Sequence, residues 1–409
     1  MAARAVARRL NADHSDYAGP TVPCVRCAQP ARYAGRHRKT VESVLGPLPL
    51  ERAYYHCAPC AAGFCPRDRA LGVVDTSLSP AVTRMVGVVG AMVSFVEGHE
   101  LLHDLAGVEV DPKHVERTAE ALGREIAADE HRVIAPEPSA APTMYLGVDG
   151  TGIPMRTAEL TGRTGKQPDG SAKTREVKLV TVWTAEGRDD EGIAVRDPGS
   201  VTYSAAIESA ASHDTDDVRS PFAQRVDREA QRRGFDQAPR RVMLGDGAAW
   251  IWNLADELFP GAMQIVDLFH AKQHLSDVAK VIYGAGTDLS RQWARLRHDE
   301  LDAGHLRALC EALRRHAPTH PEARRCWQYV THHRARLRYP AFRAQGLCVS
   351  SGVVEAGCKV AIGTRLKRTG MHWTVAGADA IIALRCCKLS GRFEDFWERR
   401  STRARAEAA

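Results

Sequence analysis

Two short apolar runs in this chain end in the same way: MYLGVD closes on Asp149, RRVMLGD closes on Asp246, and each aspartate is followed by glycine. Apolar runs of this length, bounded by glycine, read as buried strands, so each places a carboxylate at a strand tip. Around them the pattern alternates. Thr143 to Asp149 reads as a strand, Glu176 to Thr184 (EVKLVTVWT) as a second and Val201 to Glu208 as a third. An amphipathic helix follows from Asp214 to Gly234, then a fourth strand (Arg241 to Leu244, ending at Asp246), a helix (Ala248 to Leu258) and a fifth strand (Met263 to Asp267).

Three strands in a meander, then helix, strand, helix, strand, is the order of the ribonuclease-H-like fold, an α/β architecture. Its first and fourth strands lie side by side at the sheet centre, which would make Asp149 and Asp246 neighbours. From about 275 to 345 only helical signals occur (QWARLRHDELDAGHLRALCEALRRH, PEARRCWQYVTHHRARLRY). The run is too long for a loop, so it reads as an all-helical insertion. Glu355 opens a helix after it, in SSGVVEAGCK. Three carboxylates from distant parts of a chain can hold two divalent cations, because hard Mg²⁺ or Mn²⁺ prefers oxygen ligands and keeps sites open for phosphate and water.

A second set of residues points to a different metal. Cys24-Val-Arg-Cys27 and Cys57-Ala-Pro-Cys60 form paired CxxC knuckles of the kind that hold a structural Zn²⁺, with Cys65 or His56 open as replacements for one ligand. Eleven cysteines in a chain whose start (MAARAVARRLNADH) lacks a secretory apolar segment fit metal ligation or burial rather than a disulfide framework. No run approaches the roughly 20 apolar residues of a membrane span. These features lead to the expectation of a cytoplasmic protein without a membrane partner. The formal charge of +6 and the pI near 8.8 are compatible with a polyanionic partner.

The expected organisation is a flexible N-terminus over 1–19, a zinc-ribbon-like domain over 20–70, and a helical region over 71–135. The ribonuclease-H-like domain then runs over 143–397 and a disordered tail over 398–409. In the helical region Ser79-Pro80 opens a buried helix, and FVEGHELLHDLAGVEV and DPKHVERTAEALGREIAADEH form a pair with a helix-turn-helix-like layout. That pair is either a packing module or a DNA reader using His114, Arg117 and Arg124. APEPSAAP, near 135–142, reads as a linker. Asp267 and His270, three residues apart, can face the pocket at the fifth strand's end, or Asp267 can simply cap a helix. Beyond Glu355, Lys359, Arg365, Lys367 and Arg368 form a basic run suited to phosphates, or a solvated helix face. Trp373 either stacks on a base or lies buried.

The blocks VDGTGIP, LGDGAAWIW, DLFHAKQH and SGVVEAGCKVAIGTRLKRTGMHW resemble those of DDE transposases of bacterial insertion sequences, nearest the ISKra type, over roughly residues 20 to 397. The resemblance implies a catalytic triad of Asp149, Asp246 and Glu355 with a supporting His270 and two Mg²⁺ or Mn²⁺ ions. It also implies DNA partners (the element's terminal inverted repeats and the target) and a homodimer or higher assembly on DNA. Two alternatives stay open: a nuclease of the same fold that cuts without rejoining, and a non-catalytic zinc-ribbon DNA-binding regulator.

Overall fold

The computed structural model describes residues 2–132, 141–165, 167, 170–211, 218–350 and 352–408. The chain divides into two compact units: Met1–Asp129 with Gly391–Ala409, and Glu130–Ser390. Among the described residues, no helix is long and apolar enough to cross a membrane.

In the first unit, β1 (Thr21–Pro23), β2 (Pro30–Ser43), β3 (Gly46–Cys57) and β4 (Ala62–Phe64) form an antiparallel sheet in that order. The turns after β1 and after β3 therefore lie at one end of the sheet, and these turns carry the two CxxC knuckles. The N-terminus, expected to be flexible, is instead helix α1 (Ala2–Ala12). Ala3, Val6, Ala7 and Leu10 follow helical spacing and pack on Val41, Leu48, Leu50 and Val73. Asn11 ties the helix end to β3, donating to the Pro49 carbonyl and accepting from the Glu51 N–H, each at 2.9 Å.

A short helix, α2 (Pro66–Ala70), precedes α3 (Pro80–Met92), α4 (Phe95–Ala106) and α5 (Pro112–Arg132). Ser79 caps α3 by accepting from the Val82 N–H, and Ser94 with Glu97 forms a capping box on α4. Gly107, left-handed at φ 62°, ends α4 and turns the chain into α5. Leu102, Val108, Val110 and Val115 close the core between these helices.

The second unit is built on a five-stranded mixed sheet. Its strands are β5 (Thr143–Pro154), β6 (Thr174–Thr184), β9 (Thr202–Ala206), β10 (Arg240–Gly245) and β11 (Met263–Val266), in the order β11-β10-β5-β6-β9. A separate small ribbon joins β7 (Gly187–Arg188) to β8 (Ala194–Val195). β5, β6 and β9 are antiparallel neighbours, whereas β10 runs parallel to both β5 and β11. The strands expected as first and fourth are thus adjacent. Helix α6 (Pro221–Arg232) starts later than the expected Asp214, at the Ser220-Pro221 signal; residues 214–217 lie outside the described ones, as does most of the expected linker. Helix α7 (Ala249–Leu258) links β10 to β11.

Helices α8 (Leu268–Tyr283), α9 (Asp288–Asp302), α10 (Leu306–His316), α11 (Pro321–His332) and α12 (Tyr339–Ala344) follow β11 without an intervening strand. Leu301, Leu309, Leu313 and Val330 join the same core as the sheet residues Leu146, Val182 and Leu244. Helix α13 (Gly352–Gly357) passes through a π-helical turn, Cys358–Gly363, into α14 (Thr364–Leu366). The altered register leaves the Val360 carbonyl to an outside donor, and the Arg385 guanidinium of α15 (Val375–Leu389) reaches it at 2.6 Å.

The expected disordered tail is helix α16 (Phe393–Ala408), and its segment belongs to the first unit. Composition alone suggested disorder, but Phe393 packs against Gly87 of α3, and charge pairs hold the helix further along. Arg399 meets the Asp129 carboxylate at 2.8 Å, Arg400 meets Glu125 at 2.6 Å, and Arg403 also binds Asp129.

Candidate active site

Parallel pairing sets the geometry of the carboxylates. β10 and β5 pair with Leu244 opposite Gly147, and β10 and β11 pair with Gly245 opposite Val266. Continuing each register by one or two residues places Asp149, Asp246 and Asp267 in one row across three adjacent strands, about 4.8 Å per step. The Asp267 N–H extends the ladder to the Gly245 carbonyl at 2.8 Å. One expectation needs correction. Asp149 is not at a strand tip, because β5 continues beside β6 as far as Pro154; it is β10 that stops, leaving the β5 edge without a strand partner on that side.

The apolar-apolar-Gly approach shared by the two aspartates has a packing cause. A Cβ at Gly147 would overlap Val354 of α13, and one at Gly245 would come within 2.7 Å of the Ile251 side chain of α7. Each glycine lets a helix settle on the sheet directly beside a carboxylate. Past Asp246, Gly247 is left-handed at φ 101° and lies under the Tyr329 ring, whose hydroxyl donates to the Asp246 carbonyl at 2.9 Å. Tyr329 belongs to a cluster with His274 and His333, with ring centroids 4.7 and 4.8 Å from its own. Burial pushes His333 down to about 4 and also lowers His274, disfavouring the cationic form of both.

Charge at the row is poorly compensated. Burial pushes the Asp149 carboxyl above its ordinary range and the Asp246 carboxylate adds to that push, while the Cys358 thiol and the Gly150 N–H at 2.6 Å work against it. Burial, then Asp149, raise the Cys358 thiol in turn. Asp246 accepts from the Ala248 N–H at 2.8 Å. Asp267 is buried and caps α8 through the His270 N–H at 2.8 Å, and its carboxylate lies 3.4 Å from His270 Nδ1. That contact holds the imidazole above its usual pKa, with Asp246 and Asp149 contributing at longer range. Asp267 therefore serves as the expected cap and faces His270 as well.

Asp149, Asp246 and His270 influence one another's protonation. Glu355 is exposed on α13, while its neighbour Val354 is seated against Gly147 and Cys358, three residues on, touches Asp149. Among the described residues, the only group of three or more His, Cys, Asp and Glu whose ligand atoms all lie within 4.8 Å of one another is Cys24, Cys27, Cys57 and Cys60.

The basic run divides into two sets. Lys359, Lys367 and Arg368 are exposed, and the Lys367 ammonium contacts the Thr151 hydroxyl on β5. Arg365 and Trp373, expected to contact DNA, are instead buried, with the Arg365 guanidinium 5.4 Å over the Trp373 ring and the indole N–H donating to the Leu366 carbonyl at 3.0 Å. Groups used inside the fold in this way cannot read a ligand. Cys358, His274 and Tyr329 were missed as site residues. Of the three, Cys358 alone had a local signal, one helical turn beyond Glu355.

The four cysteines suit zinc. Cys24 Sγ lies 3.6 Å from Cys60 Sγ, and Cys27 Sγ lies 3.5 Å from Cys57 Sγ. Sulfurs at about 2.3 Å from a tetrahedral Zn²⁺ would stand about 3.8 Å apart, so a small expansion admits the ion. Cys60 supplies the fourth thiol and Cys65 stays outside the group. The Arg26 N–H, 3.4 Å from Cys24 Sγ, lowers that thiol's pKa and favours the thiolate a metal needs. Both knuckles close in the same way, with Ala28 (φ 59°) and Ala61 (φ 53°) left-handed immediately after the second cysteine of each.

No protein-family model matches the chain, and no curated protein does. Among solved structures, the chain is similar to the Drosophila P element transposase strand transfer complex, at 10% identity over 82% of this chain and 84% of that chain, with a TM-score of 0.29. A likeness so distant carries no weight for the site, whose reading rests on the carboxylate row.

Proposed function

We propose that this chain is a DDE transposase of the bacterial ISKra type, with a ribonuclease-H-like catalytic unit and an all-helical insertion. In this reading it acts in the cytoplasm, as a dimer or larger assembly on DNA. The observation that carries the proposal is the in-register placement of Asp149 and Asp246 on adjacent parallel strands, with the protonatable His270 beside them. Two carboxylates held together at a cost to ionisation, with few hydrogen-bond donors, are a donor set suited to a hard divalent cation. Asp149 and Asp246 would hold Mg²⁺ or Mn²⁺, and Glu355 would complete the set through movement of α13. When bound, the ions supply activation of the attacking oxygen and stabilisation of the leaving one.

The chain's own groups have separate tasks. His270, whose cationic form Asp267 favours, would orient a carboxylate or touch the scissile phosphate. Lys359, Lys367 and Arg368, exposed beside Glu355, would hold the phosphates of the strand being cut. Water attacks the phosphorus at the element's end, the bond to the 3′ oxygen breaks, and that oxygen leaves as a hydroxyl. The same hydroxyl then attacks a target phosphodiester, forming the new linkage as the target's 3′ oxygen departs. The zinc unit and the α4–α5 pair would recognise the terminal repeats.

The test incubates the full chain with duplex DNA from the flanks of its own gene and Mg²⁺ or Mn²⁺. Cleavage leaving a 3′ hydroxyl is expected, reduced on the order of 10³-fold or more by Asp149→Ala, Asp246→Ala or Glu355→Ala, with DNA binding retained. Substantial cleavage by Asp246→Ala would remove the assignment. Cutting without strand transfer would leave a nuclease, and binding without cutting by the wild type would favour a DNA-binding regulator.

A further inference from the structure

On the first unit, the sheet face beside the zinc knuckles opens into a cleft of about 430 Å³, lined by His37, Tyr54, Phe64, Arg52 and Arg69. Its size lies in the range of ligand pockets, about 300–1,000 Å³. The cleft continues past Val74 and Asp75 into a second, of about 610 Å³, where Thr83, His114, Arg117 and Arg400 form the wall. A third opening with Arg69, Arg400 and Arg403 adjoins both. Of the arginines along the trough, Arg52 is buried and paired with Asp68, Arg400 with Glu125 and Arg403 with Asp129, while Arg117 is exposed.

The aromatic end is a prepared surface. The His37 and Tyr54 rings stack at 3.9 Å between centroids and 9° between planes, and the Tyr54 hydroxyl end rests over Gly63, where any Cβ would collide. His37 is exposed and Arg117 is exposed, so a flat platform and a cation are both open to solvent along one trough. Stacked rings at one end of a trough and the exposed Arg117 at the other match the two needs of an unpaired strand: a face for its base and charge for its phosphates. Bases within a duplex are stacked on each other and have no free face to offer.

We infer that this trough binds single-stranded DNA, with an unpaired base on the His37–Tyr54 platform and the following phosphates toward Arg117. The choice of DNA as the polyanion rests on the proposed function, where strands are opened at the element's ends. Binding by the full, zinc-loaded chain is read by anisotropy with a labelled oligothymidine of roughly 12 nucleotides, within the site sizes of single-strand binders. An abasic strand of equal charge and a duplex of equal length serve as comparators.

The oligothymidine should bind tightest. Tyr54→Leu should weaken it about tenfold, the scale of one stacked base, while Tyr54→Phe, which keeps the ring, should not. Arg117→Gln should reduce the slope of log affinity against log salt by about 0.7. Equal binding of the abasic strand or the duplex, or a Tyr54→Leu protein that binds like wild type and melts like it, would overturn the inference. The two readings fail separately: these signatures with no metal-dependent cleavage would retain the trough and remove the transposase, whereas cleavage lost in Asp246→Asn without them would do the reverse.

Discussion

At the scale of single residues, several groups sit in less than comfortable positions. Asp149 is the clearest case, since burial and Asp246 raise its folded pKa above the unfolded value. The folded state then holds a proton more tightly than the unfolded one, so stability falls as pH rises from about 3.9, the ordinary Asp value, through the folded pKa. Asp149→Asn should therefore raise the melting temperature of metal-free protein at pH 7, with the gain disappearing below about pH 3.9; a lower melting temperature at pH 7 would contradict this account. His270 has the same sign, in a higher pH window. Its raised pKa stabilises the fold below about 6.5, and that contribution is lost as pH rises through the folded value. In the zinc knuckles, Ala28 and Ala61 adopt a left-handed backbone that costs an L-residue about 1–2 kcal/mol and glycine little. Ala28→Gly and Ala61→Gly should each add about 1 kcal/mol in denaturant unfolding, and no gain from either would mean the turns relax without them.

At the scale of elements, the sheet and the Glu355 helix meet through glycines. Gly147 admits Val354, while a Cβ at Gly357 would be 3.0 Å from Leu179 and 3.1 Å from Thr181 of β6, so α13 lies close on the two strands bearing and flanking Asp149. Gly147→Ala should cost about 1–3 kcal/mol through overpacking and should displace Glu355. The expected result is a folded, DNA-binding protein with cleavage reduced at least as much as stability. Unchanged cleavage would show that the position of α13 does not matter to the chemistry. The π-helical turn after α13 belongs to the same device, since it puts Cys358 against Asp149 and leaves the Val360 carbonyl to Arg385. None of this is visible in periodicity, because a π turn shifts register within what reads as one helix.

At the scale of the whole molecule, the first unit has a small sheet that depends on its four thiols for closure, since it buries little besides Ala31, Ala53 and Tyr55 at that end. One zinc per chain is expected by metal analysis of the purified protein, and Cys57→Ser should abolish it and expose the hairpin ends to proteolysis. A ratio near zero with intact hairpins would mean the thiols alone suffice. The strand order, the two aspartates at the ends of matched runs and the cysteine pairs were legible in the sequence, because strand alternation, turn glycines and CxxC spacing are local properties. The helical character of both termini was not read, although Ala3, Val6, Ala7 and Leu10 carried the period. At the other terminus, Arg399 and Arg403 look like solvated charge until Asp129 is brought beside them. Tertiary structure alone decided that Asp267 both caps its helix and pairs with His270, that Glu355 is exposed, and that Arg365 and Trp373 face inward. A sequence gives each residue's spacing along its own element, whereas burial and charge coupling depend on which distant element packs against it.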